Sequence, residues 1–215
     1  MDKKLIITIA REYGSGGKLI GQKLSESLNI PFYDKELLTL AAKESGIHED
    51  LFKEADENHS KGFWNSMSFT TSSFGNVFSG GSELPINDRL FLIQSSIIKD
   101  IAQAGSCVIV GRCADYILQH HPDAMHVFIH ALEKDKIARI IETYGVNEKD
   151  ARTAMLKTDK RRATYYNYYA DGKWGQAENY DLSIDSSVIG IDGTVMLIKE
   201  FAKLKQVKDG LSQDL

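Results

Sequence analysis

One segment limits what this chain can become more than any other: Ile9-Ala10-Arg11-Glu12-Tyr13-Gly14-Ser15-Gly16-Gly17-Lys18. It begins in the apolar, β-branched run Leu5–Ala10 and leads into a helical pattern with Ile20, Leu24 and Leu28 at i, i+4 and i+8. A strand that enters four small residues, a lysine and a helix start has the parts of an anion trap. Glycines let backbone N–H groups approach an oxygen without Cβ obstruction. The helix N-terminus adds unpaired donors and a positive dipole end, and the lysine can reach the outer phosphates of a nucleotide. Gly14, Ser15, Gly16, Gly17 and Lys18 are therefore candidate ATP phosphate ligands. Glycine clusters also make plain turns, but a place between a buried strand and an amphipathic helix favours phosphate. Against the template G-x-x-x-x-G-K-[ST] the match is partial: Gly17 and Lys18 fit, while Glu12 and Leu19 replace the leading glycine and the hydroxyl. Leu19 cannot ligate a metal, so Mg²⁺ is expected on phosphates and water, with Asp34 the candidate protein ligand.

The rest of the chain alternates strands and helices. Pro31–Asp34 reads as a second strand, Cys107–Val110 as a third, His126–Ile129 as a fourth and Asp181–Asp185 as a fifth. Between them, Leu90, Ile93, Ile97 and Ile101 mark a helix face stopped at Gly105, and Val195–Leu204 makes a closing helix. This order implies βαβ units and a five-stranded parallel sheet in three layers. The segment from His59 to Ser82 breaks the pattern, with seven Ser, four Gly, four Phe and only Lys61 fully charged. It reads either as a long surface loop or as a cover that closes over a ligand.

Several classes are set aside. The net charge of −4 gives no reason to expect nucleic acid as a partner. The first apolar run is too short for a signal-peptide core, and no stretch approaches the ~18 apolar residues of a membrane span. Cys107 and Cys113 form no disulfide framework, which with the absence of a leader predicts a cytoplasmic protein. His120-His121 has no third ligand in reach and reads as a helix end rather than a metal site.

Local positive charge does occur. Lys149 to Lys173 holds seven Lys or Arg against Asp150, Asp159 and Asp171. Lys157 and Arg161 share one helix face, with Arg162 beside them. Such a face is either a solvated helix or the cation set that neutralises a phosphoryl group in transfer; beside a phosphate loop the second reading is preferred. Tyr165, Tyr166, Tyr168 and Tyr169 follow, able to stack a base or to pack the helix on the core. Asp34 and Arg112 close the second and third strands, at the carboxyl edge where open α/β sheets bind ligands.

These segments in their shared order resemble bacterial cytidylate kinases, and more closely the cytidylate kinase-like proteins. The resemblance rests on the phosphate loop with Ile20-Gly21, on Ile30-Pro31-Phe32-Tyr33-Asp34-Lys35, and on Val110-Gly111-Arg112-Cys113-Ala114-Asp115. It continues through Pro122-Asp123-Ala124, Asp159-Lys160-Arg161-Arg162 and Tyr180–Ser186. It implies a three-layer α/β fold of the P-loop NTPase type, with one kinase domain over 1–215, an acceptor-binding insertion at 35–88 and a lid at about 150–175. It further implies that Arg139 faces ATP and that Asp34, Arg112 and Asp115 bind the acceptor. Lys18, Lys157, Arg161 and Arg162 would act on the transferring phosphate, with Mg²⁺ as cofactor. Cytidylate kinases usually follow the strand aspartate with Ser-Gly and then an arginine; here Lys35-Glu36-Leu37-Leu38 stands instead.

The expectation is therefore ATP-dependent transfer to a nucleoside monophosphate, CMP or dCMP foremost, with small-molecule partners and no membrane. Two other readings stay open: a kinase of the same build for another small molecule, and a nucleotide-binding regulator without transfer activity, to which Glu12 and Leu19 point.

Overall fold

In a computed structural model, which describes residues 4–35 and 86–211, the first apolar run forms the central strand β1 (Ile6–Arg11). Its neighbours are β3 (Cys107–Val110) and β4 (Ala124–His130), flanked by β2 (Phe32–Tyr33) and β5 (Leu182–Asp185) in the order β2-β3-β1-β4-β5. Every pairing is parallel; Ile6 lies opposite Cys107 and Ala124, and Arg11 opposite Ile129. The five strands thus deliver their carboxyl ends to one edge, carrying Arg11, Asp34, Gly111, His130 and Asp185.

Side-chain alternation divides the core between the two faces of the sheet. Ile6, Cys107 and Ile109 point to helix α2 (Ile86–Ala104), where Ile93, Ile97, Ile98 and Ile101 meet them. Ile7, Ile9, Val108, Val110, Val127 and Ile129 point the other way, onto α1 (Gly17–Leu28) and α6 (Ser186–Leu211) through Ile20, Leu24, Val195 and Ile198. A helix layer on each face of a parallel sheet gives the expected three layers. Thr8, polar within this strand and almost wholly buried, is satisfied by a 2.8 Å hydrogen bond with Nδ1 of His126.

The remaining elements are α3 (Ala114–Ile117), α4 (Glu133–Tyr144), α5 (Glu148–Tyr169) and a 3-10 turn at Ala177–Asn179. β1 is shifted by one residue to Ile6–Arg11, β2 is trimmed to Phe32–Tyr33 and β5 to Leu182–Asp185, and two boundaries differ by more. β4 starts two residues earlier than its apolar run, because Ala124 and Met125 pair with Ile6 and Ile7. The closing helix begins at Ser186, with non-helical Gly190 (φ 68°, ψ −177°) breaking its first turns from the expected stretch. No helix among the described residues is long and apolar enough to cross a membrane. The Ser/Phe-rich segment and residues 36–85 of the expected insertion at 35–88 lie outside the described residues.

Candidate active site

Residues 12–16 leave β1 in a turn whose Gly14 and Gly16 both have φ 82°, a region L side chains avoid. A Cβ on Gly14 would stand 2.6 Å from the carbonyl oxygen of Lys136, and one on Gly16 would collide with Ile191. Glycine is required here both by backbone angle and by the closeness of α4 and α6. The loop carbonyls turn outward to fixed partners. Gly14 O accepts from the Arg139 guanidinium, and Ser15 O accepts from Ser186 Oγ at 2.7 Å. Ser15 Oγ in turn donates to Glu12 O at 2.9 Å. Among the described residues the amides of Gly16 and Gly17 have no hydrogen-bond acceptor. Outward carbonyls and unpaired amides at a helix start are the geometry of an anion nest.

The departures from the template acquire physical reasons. Glu12 does not crowd the loop: its carboxylate turns to α4, where Oε2 meets Lys136 Nζ at 2.8 Å and accepts from the Ala131 amide at 3.3 Å. Leu19 is exposed and brings no oxygen. Lys18 Nζ lies 2.7 Å from Oδ2 of the buried Asp34, linking the loop to the end of β2.

Helix α5 bridges the loop and the sheet edge. Its N-terminal half packs Ala151 and Met155 on Ile140, and its C-terminal half packs Tyr166 on Cys113 and Ala170. Between these anchors it spans a cleft of about 1090 Å³, which Lys157, Lys160, Arg161, Thr164, Tyr165 and Tyr168 enter from one face. Their spacing of three and four residues is that of a single helix stripe. Arg162, on the adjoining side, donates to Arg11 O at 3.1 Å, lies 3.6 Å from Asp159 and sits over the Tyr13 ring at 5.6 Å. Asp159 Oδ1 accepts from the Tyr13 amide at 2.7 Å. These contacts hold the basic stripe against the loop.

Opposite the stripe, Gly111, Arg112 and Cys113 have φ of 84°, 57° and 54°. Two consecutive non-glycine residues in the left-handed region cost roughly 1–2 kcal/mol each. Such strain persists where surroundings over-determine it, often at functional sites. The turn carries the Arg112 guanidinium into the cleft, 5.7 Å from the Tyr165 ring centre, with Nε buried and unpaired.

The structure thus gathers Arg112, Lys157, Arg161 and Arg162 into one cleft, with Lys35 beside them and Lys18 and Asp34 paired next to it. Arg139 stands apart, on the α4 side of the loop. Asp115 also stands apart: it is buried beneath α5 against Tyr166, one oxygen lacks a partner, and burial raises its carboxyl from 3.8 to about 6. Among the described residues no group of three His, Cys, Asp or Glu is arranged to hold a metal.

Sequence reasoning passed over Arg11, Asp159 and Ser186. Arg11 carried a signal: it is the one charged residue of the central strand, whose other residues are apolar except Thr8. Its guanidinium lines the cleft, and burial, then Arg162 and Arg112, pull its pKa down to about 9. Asp34 offsets only part of the burial of Arg11 and of the repulsion from Arg162 and Arg112, so a cluster of this kind favours an anion.

Known proteins share this fold. The model of the cytidylate kinase-like family matches residues 6–188. The chain is similar to a solved uncharacterized protein from Eubacterium ventriosum, with 31% identity, a TM-score of 0.71, and coverage of 93% of this chain and 99% of that one. A shikimate kinase from Bacteroides thetaiotaomicron shares the fold at 13% identity and TM-score 0.53, covering 93% and 99%. A shikimate kinase from Acinetobacter baumannii, solved with shikimate, does so at 10% identity and TM-score 0.50, covering 93% of each chain. Among curated proteins no sequence matches.

Proposed function

The chain belongs to the cytidylate kinase-like family, and on that footing we propose that it transfers the γ-phosphate of ATP to a nucleoside monophosphate, with CMP or dCMP the first candidates. The observation that carries the reading is the single cleft in which the α5 stripe faces Arg112 across the sheet edge, beside the anion nest of the phosphate loop.

In this reading the amides of Gly14–Lys18 and the Lys18 ammonium hold the ATP phosphates, and Arg139 braces the loop by its bond to Gly14. Lys157, Arg161 and Arg162 lie where charge develops on the transferring group. Phosphoryl transfer needs positioning and charge neutralisation rather than a protein nucleophile. The stripe supplies both when the phosphate enters, because guanidinium forks match its equatorial oxygens. Magnesium would arrive with ATP, held by phosphates and water, with Asp34 the carboxylate near enough to assist; it would screen the developing charge. Leu19 brings no oxygen to the hydroxyl position of the loop, which fits an ion carried by the nucleotide. Domain 1–215, acceptor insertion 35–88 and lid 150–175 complete the proposal.

ATP consumption across a panel of monophosphates and small alcohols tests it. CMP or dCMP should be phosphorylated faster than AMP, GMP or UMP. Turnover of a small alcohol alone would move the acceptor out of the nucleotides, and no turnover of any acceptor by protein that binds ATP would favour the regulatory reading.

A further inference from the structure

Arg11 belongs to neither the phosphate loop nor the α5 stripe, yet it occupies the wall of the same cleft. Its stem leaves β1 across the start of α1, so close that a Cβ on Gly17 would stand 2.6 Å from Arg11 Cβ. Its guanidinium then lies over Gly111 at the end of β3, where a side chain at 111 would collide with Nη1 and stand 3.0 Å from Cζ. Two glycines more than 90 positions apart therefore leave the channel through which this one side chain passes. Arg139 and Lys136 bond to the loop from α4, whereas the Arg11 guanidinium lies at the end of β3, in the cleft that Lys35 and Tyr165 also line.

At its end the Arg11 guanidinium donates to nothing among the described residues; its backbone carbonyl, not its side chain, is the acceptor for Arg162. Beside it the Arg112 Nε is buried without a partner. Two planar forks with unused donors, held together on one side of a cleft, match the several oxygens of a phosphomonoester dianion. An uncharged hydroxyl acceptor would leave the two like charges balanced only by what Asp34 supplies to Arg11, with the Arg112 Nε still unpaired.

We propose that Arg11 and Arg112 form a two-arginine clamp for the phosphate group of the acceptor, separate from the cations that serve the ATP phosphates. The assignment deepens the nucleoside monophosphate reading and rests on it for the acceptor's identity. The clamp makes the acceptor's own phosphate the principal determinant of its binding, ahead of its base.

Calorimetric titration of CMP and of cytidine tests it, with a non-hydrolysable ATP analogue and Mg²⁺ present, for the wild type, Arg11→Met and Arg11→Lys. Losing a charge-assisted bidentate contact predicts about 100-fold weaker CMP binding for Arg11→Met. Arg11→Lys, which keeps charge but not the fork, should recover about tenfold of that loss. Cytidine binding should be the same in all three proteins, and analogue affinity should change by less than about twofold. An equal loss for CMP and cytidine would overturn the clamp, as would a fall in analogue affinity as large as the fall for CMP. If the wild type binds no CMP, inorganic phosphate becomes the probe, read as thermal protection with the analogue bound. Protection that disappears in Arg11→Met would keep the clamp and remove the nucleoside monophosphate reading; protection that persists would overturn the clamp.

Discussion

Ser186→Ala isolates one atom that shapes the phosphate loop. Ser186 Oγ, in a residue 1% exposed, donates to Ser15 O at 2.7 Å and approaches His130 O at 3.2 Å. No other donor reaches the Ser15 carbonyl among the described residues, and Ser15 itself is fully buried. Removing the hydroxyl leaves that carbonyl unpaired, at a cost of roughly 1–3 kcal/mol. For a domain of this size each kcal/mol shifts Tm by about 2–4 °C, so a fall of about 2–12 °C is expected. The loss should also appear in function, because the carbonyl's outward direction is what turns the adjoining amides inward. ADP affinity, measured by calorimetry, should drop several-fold, while Ser186→Thr, which keeps the hydroxyl, should retain most of it. A Tm within about 1 °C of wild type together with unchanged ADP affinity would refute the reasoning. It would mean that Ser15 O finds another donor and that the tether from α6 does not define the loop.

Lys18→Ala should reduce phosphoryl transfer by about 100-fold or more, since it removes a preorganised cation from the phosphates. The protein should remain folded by circular dichroism with a modestly lower Tm, because buried Asp34 loses its 2.7 Å partner; near-normal turnover would show that another residue is the phosphate lysine. Asp115 gives a pH prediction. Its folded value of about 6 lies above the ordinary 3.8, so the fold favours the protonated acid. The stability it contributes is complete below about pH 4 and is lost as pH rises through about 6. Asp115→Asn, which can still accept from Tyr166, should therefore gain on the wild type as pH rises, seen in paired thermal melts at about pH 4.5 and 7.5. A Tm difference that does not change between the two would show that the carboxyl is not held neutral by burial.

The parts of the fold that could be read from sequence are those whose cause is local. Leu5–Ala10 and Cys107–Val110 read as strands because a parallel strand covered on both faces is apolar at nearly every position. Lys157 and Arg161 could be placed on one face because helix period alone fixes that relation, and the cleft indeed receives both. Arg11, Asp159 and Ser186 lacked such a signature. Arg11 stands within a motif whose glycines draw attention, and its direction depends on Gly111, far along the chain. Asp159 reaches the loop at Tyr13 across 146 residues, and Ser186 reaches it at Ser15 across 171. The same long-range contacts bear on the imperfect template. Position 12 has a backbone that any residue can adopt, so glycine is not required there. In this chain Arg139, Asp159 and Ser186 hold the loop from α4, α5 and α6, and position 12 is released to anchor Lys136. The departure at Glu12 is therefore compatible with a loop whose shape is held by the helices packed around it.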